Sequence, residues 1–128
     1  MWCLLAAPLM LGCDLTKLDD FTLSLLTNDE VLAIDQDSLG KMAVKKGGSE
    51  LQPAYAKPLD DGSWAVGLFN LSETPATVTV QWSDLGLTGK QAVRDLWRQK
   101  DLGIFETRFE TQNVAPHGVV LVRVIPQK

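Results

Sequence analysis

Ala76-Thr77-Val78-Thr79-Val80-Gln81-Trp82 (ATVTVQW) puts Val78, Val80 and Trp82 on one side of an extended chain and Thr77, Thr79 and Gln81 on the other. Successive side chains of a strand point to opposite faces, so this alternation predicts an antiparallel strand with one face in a core. The same reading extends both ways from it. Upstream, Ala54 to Pro58 and Trp64 to Leu71 read as strands flanking Asp60-Asp61-Gly62, where glycine supplies the positive φ of a tight turn. Downstream, Gln91 to Trp97, Ile104 to Glu110 and Gly118 to Ile125 read as further strands, each bounded by turn residues. Short strands at this spacing predict a mainly β domain, an antiparallel sandwich or small barrel, over residues 51–128.

Ahead of it the pattern changes. Lys41 to Glu50 is polar at its end and carries Gly47-Gly48, so 47–50 is expected to be a linker and 1–46 a separate segment. Thr16 to Leu39 predicts helix in two pieces. Thr16 with Asp19 caps the first, and Leu18, Phe21 and Leu25 give it one apolar face. Asn28 caps the second, with Asp29 and Glu30 in its first turn, Val31 and Ile34 on its buried side and Gly40 closing it. Met1 to Cys13 has no charged side chain and is shorter than the ~20 residues of a membrane-spanning helix. It matches a signal peptide in length, and Leu11-Gly12-Cys13 resembles a lipoprotein cleavage site, but the first basic side chain is Lys17. It fits equally a buried segment of a larger fold, with a helical stretch ending at Pro8 and a strand, Leu9 to Gly12, covered on both faces. Cys3 and Cys13 are expected to be buried free thiols.

Chemistry is sparse. With 128 residues and net charge −4, the chain offers no field that gathers nucleic acid or an anionic membrane. One histidine and two cysteines do not build a Cys/His zinc site without help from carboxylates, and no metal or cofactor is expected. A whole (β/α)8 barrel takes roughly 250 residues and does not fit. Asp60 and Asp61 are turn residues, and His117 between Pro116 and Gly118 is a surface turn. Lys46-Gly47-Gly48-Ser49 lacks the spacing of a phosphate loop. Trp82 alternates with valines and belongs to the core, whereas Trp64 follows a turn and is expected to be the exposed, sugar-contact candidate. If Leu9 to Gly12 is a parallel barrel strand, Asp14 sits at its C-terminal end, where barrel enzymes place site residues.

WCLLAAPLMLGCDL (2–15), LLTNDEVLAIDQDSLG (25–40), YAKPLDDGSWAVGLFN (55–70), ATVTVQWSDLGL (76–87), VRDLWRQKDLG (93–103) and APHGVVLVRV (115–124) together resemble the C-terminal part of the melibiase-type alpha-galactosidases of glycoside hydrolase family 27. The resemblance implies that 1–46 is a strand–helix remnant of a (β/α)8 barrel: the end of helix seven, strand eight and the closing helices. It implies a Greek-key β-sandwich for 51–128. Family members usually read Gln-Asp-Pro-Leu-Gly where this chain has Ser38.

The family hydrolyses terminal alpha-galactosides with retention, through a nucleophilic and an acid/base aspartate. The nucleophile lies in a Lys-Tyr-Asp motif on an earlier strand. The one tyrosine here, Tyr55, stands between alanines. No catalytic residue carries over, and Asp14 is retained only as a barrel-mouth candidate. The expected partners are the rest of the barrel and, for the parent, an alpha-galactoside; the compartment stays open. The chain alone is then expected to be inactive, its sandwich to be self-sufficient from Leu51, and its apolar N-terminus to be a liability whose removal raises solubility. The alternative is an independent carbohydrate-binding or lipoprotein-type sandwich.

Overall fold

The computed structural model describes residues 1–127. Eight strands form two antiparallel sheets: β1 (Val44–Gly48), β2 (Pro53–Pro58), β3 (Trp64–Phe69), β4 (Ala76–Gln81), β5 (Gln91–Asp95), β6 (Lys100–Phe105), β7 (Arg108–Val114) and β8 (Val119–Pro126). The larger sheet has the order β1-β2-β3-β8-β5-β6, and β4 pairs with β7 in the smaller one. The chain therefore crosses between layers at β4, β5, β7 and β8, and β8 returns to lie between β3 and β5. That is a Greek-key sandwich, as expected.

Alternation sorts the side chains as read. Val78 and Val80 of β4 face Ala54, Ala56, Val66, Leu68, Val93, Val122 and Val124 of the large sheet, and Phe109 and Val114 of β7 complete this core. Trp82 closes one end, 2% exposed, with its Nε1–H donating to the Phe105 carbonyl at 3.1 Å. It starts a 3-10 turn, Trp82–Leu85, rather than ending β4. The β2–β3 hairpin turns where predicted, with Gly62 at φ 82°. Asn70, fully buried, ties the sandwich end together. Its amide donates to the carbonyls of Thr74, Val114 and Ala115 at 2.8, 2.9 and 3.1 Å, and its oxygen accepts from Ser72 N–H and Oγ–H.

Several expectations are corrected. The single strand read over Ile104 to Glu110 is two, because the chain turns at 106–107 and changes layer; Phe105 and Phe109 then meet edge to face across the core, 5.2 Å apart. The first half of the linker expected at 47–50, Gly47-Gly48, ends β1, antiparallel to β2, since two glycines leave an edge strand free to bulge between Lys45 and Gly47. In the helical part, Asp19 rather than Thr16 caps α1 (Asp20–Leu26). Asn28 caps α2 (Asp29–Asp35), as read, but that helix ends at Gln36, before Gly40. Trp2–Leu5 is a 3-10 turn. Residues 9–12 form no strand, and Leu9, Met10 and Leu11 are exposed. A strand needs neighbours to satisfy its backbone, and no described segment pairs with this one. Cys3 and Cys13 are free, but Cys3 is half-buried and Cys13 exposed.

The large sheet is covered on its outer face too. Leu4, Val31, Ile34 and Ala43 pack on Leu59, Ala65, Leu96 and Leu121, with Tyr55 and Phe69 at the margin. Gly67 admits this layer, because a Cβ there would lie 2.5 Å from Leu4 Cδ1. The N-terminal segment is thus a third layer and not an appendage.

Candidate functional site

The outer face of the sheet carries a row of cations that alternation alone assigns to solvent. Cross-strand register aligns Lys57 with Ala65, Ala65 with Arg123, Arg123 with Arg94 and Arg94 with Asp101. The two arginines meet acids brought from elsewhere. Arg94 grips Glu30 of α2 through two hydrogen bonds, Nε at 2.8 Å and Nη2 at 2.6 Å, and reaches Asp101 at 2.9 Å. These bonds, Glu30 first and Asp101 second, hold its guanidinium more firmly protonated than usual. Arg123 binds Ser63 and Asp61 of the β2–β3 turn. Partial burial raises the Asp61 pKa, but hydrogen bonds from Ser63 and the charge of Arg123 outweigh it and hold the carboxyl below its usual range.

Lys57 is 1% exposed, and its Nζ finds no hydrogen-bond partner among the described residues. Burial lowers its pKa from the usual 10.5, opposed by the charges of Asp37 and Asp35, which follow α2 and end it, and of Cys3. The same setting raises the Cys3 thiol, through burial first and Asp35 second. The unfolded chain thus binds the Lys57 proton more tightly than the folded one, and the penalty eases as pH rises toward 10.5. Lys57→Met is expected to raise stability at pH 7 by on the order of 1 kcal/mol, a few degrees in melting temperature, and to flatten its rise as pH approaches 10.5. Thermal unfolding across pH checks this, and a destabilised variant would contradict it.

Asn28 fixes α2 at the other end. Its Nδ2 donates to the carbonyls of Leu96 and Trp97 at 3.0 and 3.3 Å while its Oδ1 accepts from Val31 N–H at 3.1 Å. Sequence reading saw the cap and missed the grip on the β5–β6 turn. An asparagine amide can do both, and only the fold supplies the second partner.

The sequence-predicted candidates are not brought together. Asp14 is exposed and caps the Leu15–Lys17 turn, accepting from Thr16 N–H at 3.0 Å and Thr16 Oγ–H at 2.7 Å, which lowers its pKa. Trp64 is half-buried, packed on the sandwich core with Lys46 Nζ 5.7 Å from its ring centroid. The exposed indoles are instead Trp2 and Trp97, 70% and 38%. Hairpin register draws Trp64 inward, opposite Pro58 and Val124. His117 lies in a surface turn, 3.3 Å from Glu73. Among the described residues no cluster of His, Cys, Asp or Glu could hold a metal ion. An apolar cavity of about 510 Å³ opens on the far side of the helical layer, lined by Trp2, Leu9, Met10, Leu11, Leu25 and Trp97 among others.

The described residues thus form a two-sheet Greek-key sandwich that bears a helical layer on the outer face of its larger sheet. Residues 50–124 match the sequence model of the alpha galactosidase C-terminal beta sandwich domain. The probable alpha-galactosidase of Dictyostelium discoideum is 42% identical over 131 residues, covering 98% of this chain and 34% of that protein. Among solved structures, alpha-galactosidase I of Mortierella vinacea superposes with TM-score 0.91 at 31% identity, covering 98% of this chain and 34% of that one. A family 27 β-L-arabinopyranosidase of Geobacillus stearothermophilus gives 0.90 at 34% identity, covering 98% and 28%. The chain belongs to the melibiase-type alpha-galactosidases of glycoside hydrolase family 27, as their C-terminal part. It spans about a third of the length of the relatives it matches.

Proposed function

We propose that this chain is the non-catalytic C-terminal unit of a retaining alpha-galactoside hydrolase, and that it closes and stabilises the barrel that carries the chemistry. The observation that supports this most is the two-sided helical layer. One side of it is buried against the sheet by Leu4, Val31 and Ile34 and pinned by Asn28 and Glu30. Its other side presents Trp2, Met10, Leu11 and Phe21, which are 70, 89, 54 and 71% exposed. Apolar surface of that extent marks an interaction face, and the remaining two thirds of a family 27 polypeptide is the partner that fits it. Residues 9–12 then take up strand pairing only when barrel neighbours flank them.

Substrate choice belongs to that other two thirds. The same fold accompanies an alpha-galactosidase in one neighbour and a β-L-arabinopyranosidase in another. Terminal alpha-galactosides are the substrate class proposed for the parent, because the relatives from Dictyostelium discoideum and Cyamopsis tetragonoloba carry that name.

The purified chain is expected to release no p-nitrophenol from p-nitrophenyl alpha-galactoside above the buffer rate. Saturable turnover that persists in Asp14→Asn would show that the chain carries a catalytic pair of its own and would end this reading.

A further inference from the structure

The turn joining β5 to β6 meets the start of α2 in a second cleft, about 300 Å³, lined by Ser24, Thr27, Asn28, Asp29, Trp97 and Gln99 among others. That is room for a pyranose ring. Unlike the apolar cavity beside it, this one combines a flat aromatic surface with a polar rim. Trp97 keeps 38% of its surface open although it lies against the helical layer.

The turn that presents the ring is fixed at every residue. Asn28 holds the carbonyls of Leu96 and Trp97, and Asp95 accepts from Arg98 N–H at 3.0 Å and from its guanidinium at 2.8 Å. Gln99 sits at φ 51°, a left-handed backbone that residues with side chains seldom adopt, and its Nε2 donates to Asp29 Oδ1 at 2.6 Å. Strain of this kind persists where the surroundings over-determine it, and such places are often ligand sites.

The polar rim is rich in acceptors. The Ser24 and Thr27 hydroxyls donate to the carbonyls of Phe21 and Leu23 at 2.7 and 2.8 Å, so their oxygens are left to accept. Among the described residues, Asp29 Oδ2 and Gln99 Oε1 are engaged in no hydrogen bond. Acceptors beside an indole suit a neutral ligand with many hydroxyl donors and an apolar C–H face, and the Asp29 carboxylate disfavours an anion. Galactose has both features, since its axial hydroxyl leaves one ring face lined by C–H bonds.

We propose that the Trp97 cleft is a non-catalytic contact for the galactosyl ring of an oligosaccharide. Its choice of sugar rests on the galactoside reading of the parent; the site itself rests on the cleft. Titration of the isotope-labelled chain with melibiose, followed by amide NMR, tests it. The Asp29 backbone and Gln99 side-chain amides should shift saturably in the millimolar range. Trp97→Ala should weaken the response about tenfold, Asp29→Asn should weaken it with the ring intact, and Trp64→Ala should leave it unchanged. No saturable shift up to about 50 mM melibiose, or an undiminished shift in both Trp97→Ala and Asp29→Asn, would overturn the proposal. A saturable response to maltose but not melibiose would overturn its galactosyl specificity. Neither failure touches the C-terminal-unit reading, whose own test is activity of a grafted enzyme.

Discussion

Removal of Met1–Met42, leaving Ala43 ahead of an intact β1, is expected to abolish cooperative unfolding or lower the melting temperature by on the order of 20 °C. The deletion takes Leu4, Val31 and Ile34 from the outer face, where they are 1, 3 and 1% exposed. Each such side chain contributes about 1.5–3 kcal/mol by burial, against a total stability of about 5–15 kcal/mol for a domain. It also strips Glu30 from Arg94 and Asn28 from the Leu96 and Trp97 carbonyls, and it uncovers Leu59, Ala65 and Leu121. Size-exclusion and calorimetry of the two lengths decide it. A truncated chain that stays monomeric and melts within a few degrees of the parent would show that the helical layer is dispensable.

Trp82→Ala should be the most damaging single substitution in the sandwich, at about 3–5 kcal/mol. The indole is the largest fully buried side chain and plugs the end of the core beside Leu85 and Phe109. Its loss leaves a cavity bounded by both sheets, and it orphans the Phe105 carbonyl that Nε1–H satisfies. Trp82→Phe restores most of the volume but not the donor, so it should cost about 1–3 kcal/mol. Urea unfolding of both variants separates packing from hydrogen bonding. Equal losses in the two would mean that the hydrogen bond outweighs the volume, contrary to this account.

The first of these results runs against what the sequence alone suggests, and the reason lies in how period-two patterns are read. Alternation located the strands because one face of each is apolar: Val78 and Val80, Val66 and Leu68, Val122 and Val124 all fall inside. It carries no information about what covers the other face. Lys57, Arg94 and Arg123 occupy outward positions, yet Arg94 and Arg123 meet acids carried by other segments and Lys57 is buried outright. A polar side chain in a strand does not reveal whether water or a helix covers it, since its partner lies tens of residues away. Asn28 could be read as a cap from its local context, and its second role could not. Trp64, read as exposed, is half-buried for the same reason: exposure is set by cross-strand register and by the layer above, which no local window contains. The sheet-edge strand β1 escaped because Gly47-Gly48 signals a loop wherever a partner strand is not already known.

The decisive property of this chain is whether it can finish a family 27 enzyme. The direct measurement grafts it in place of the C-terminal third of the Dictyostelium discoideum relative and compares hydrolysis of p-nitrophenyl alpha-galactoside by the graft, that relative and the relative lacking its C-terminal third. The prediction is a soluble graft with activity within about tenfold of the relative's, far above the shortened protein. A graft that folds and stays inactive, or that never becomes soluble while the relative does, would contradict the claim that this sandwich and its helical layer close an alpha-galactosidase barrel.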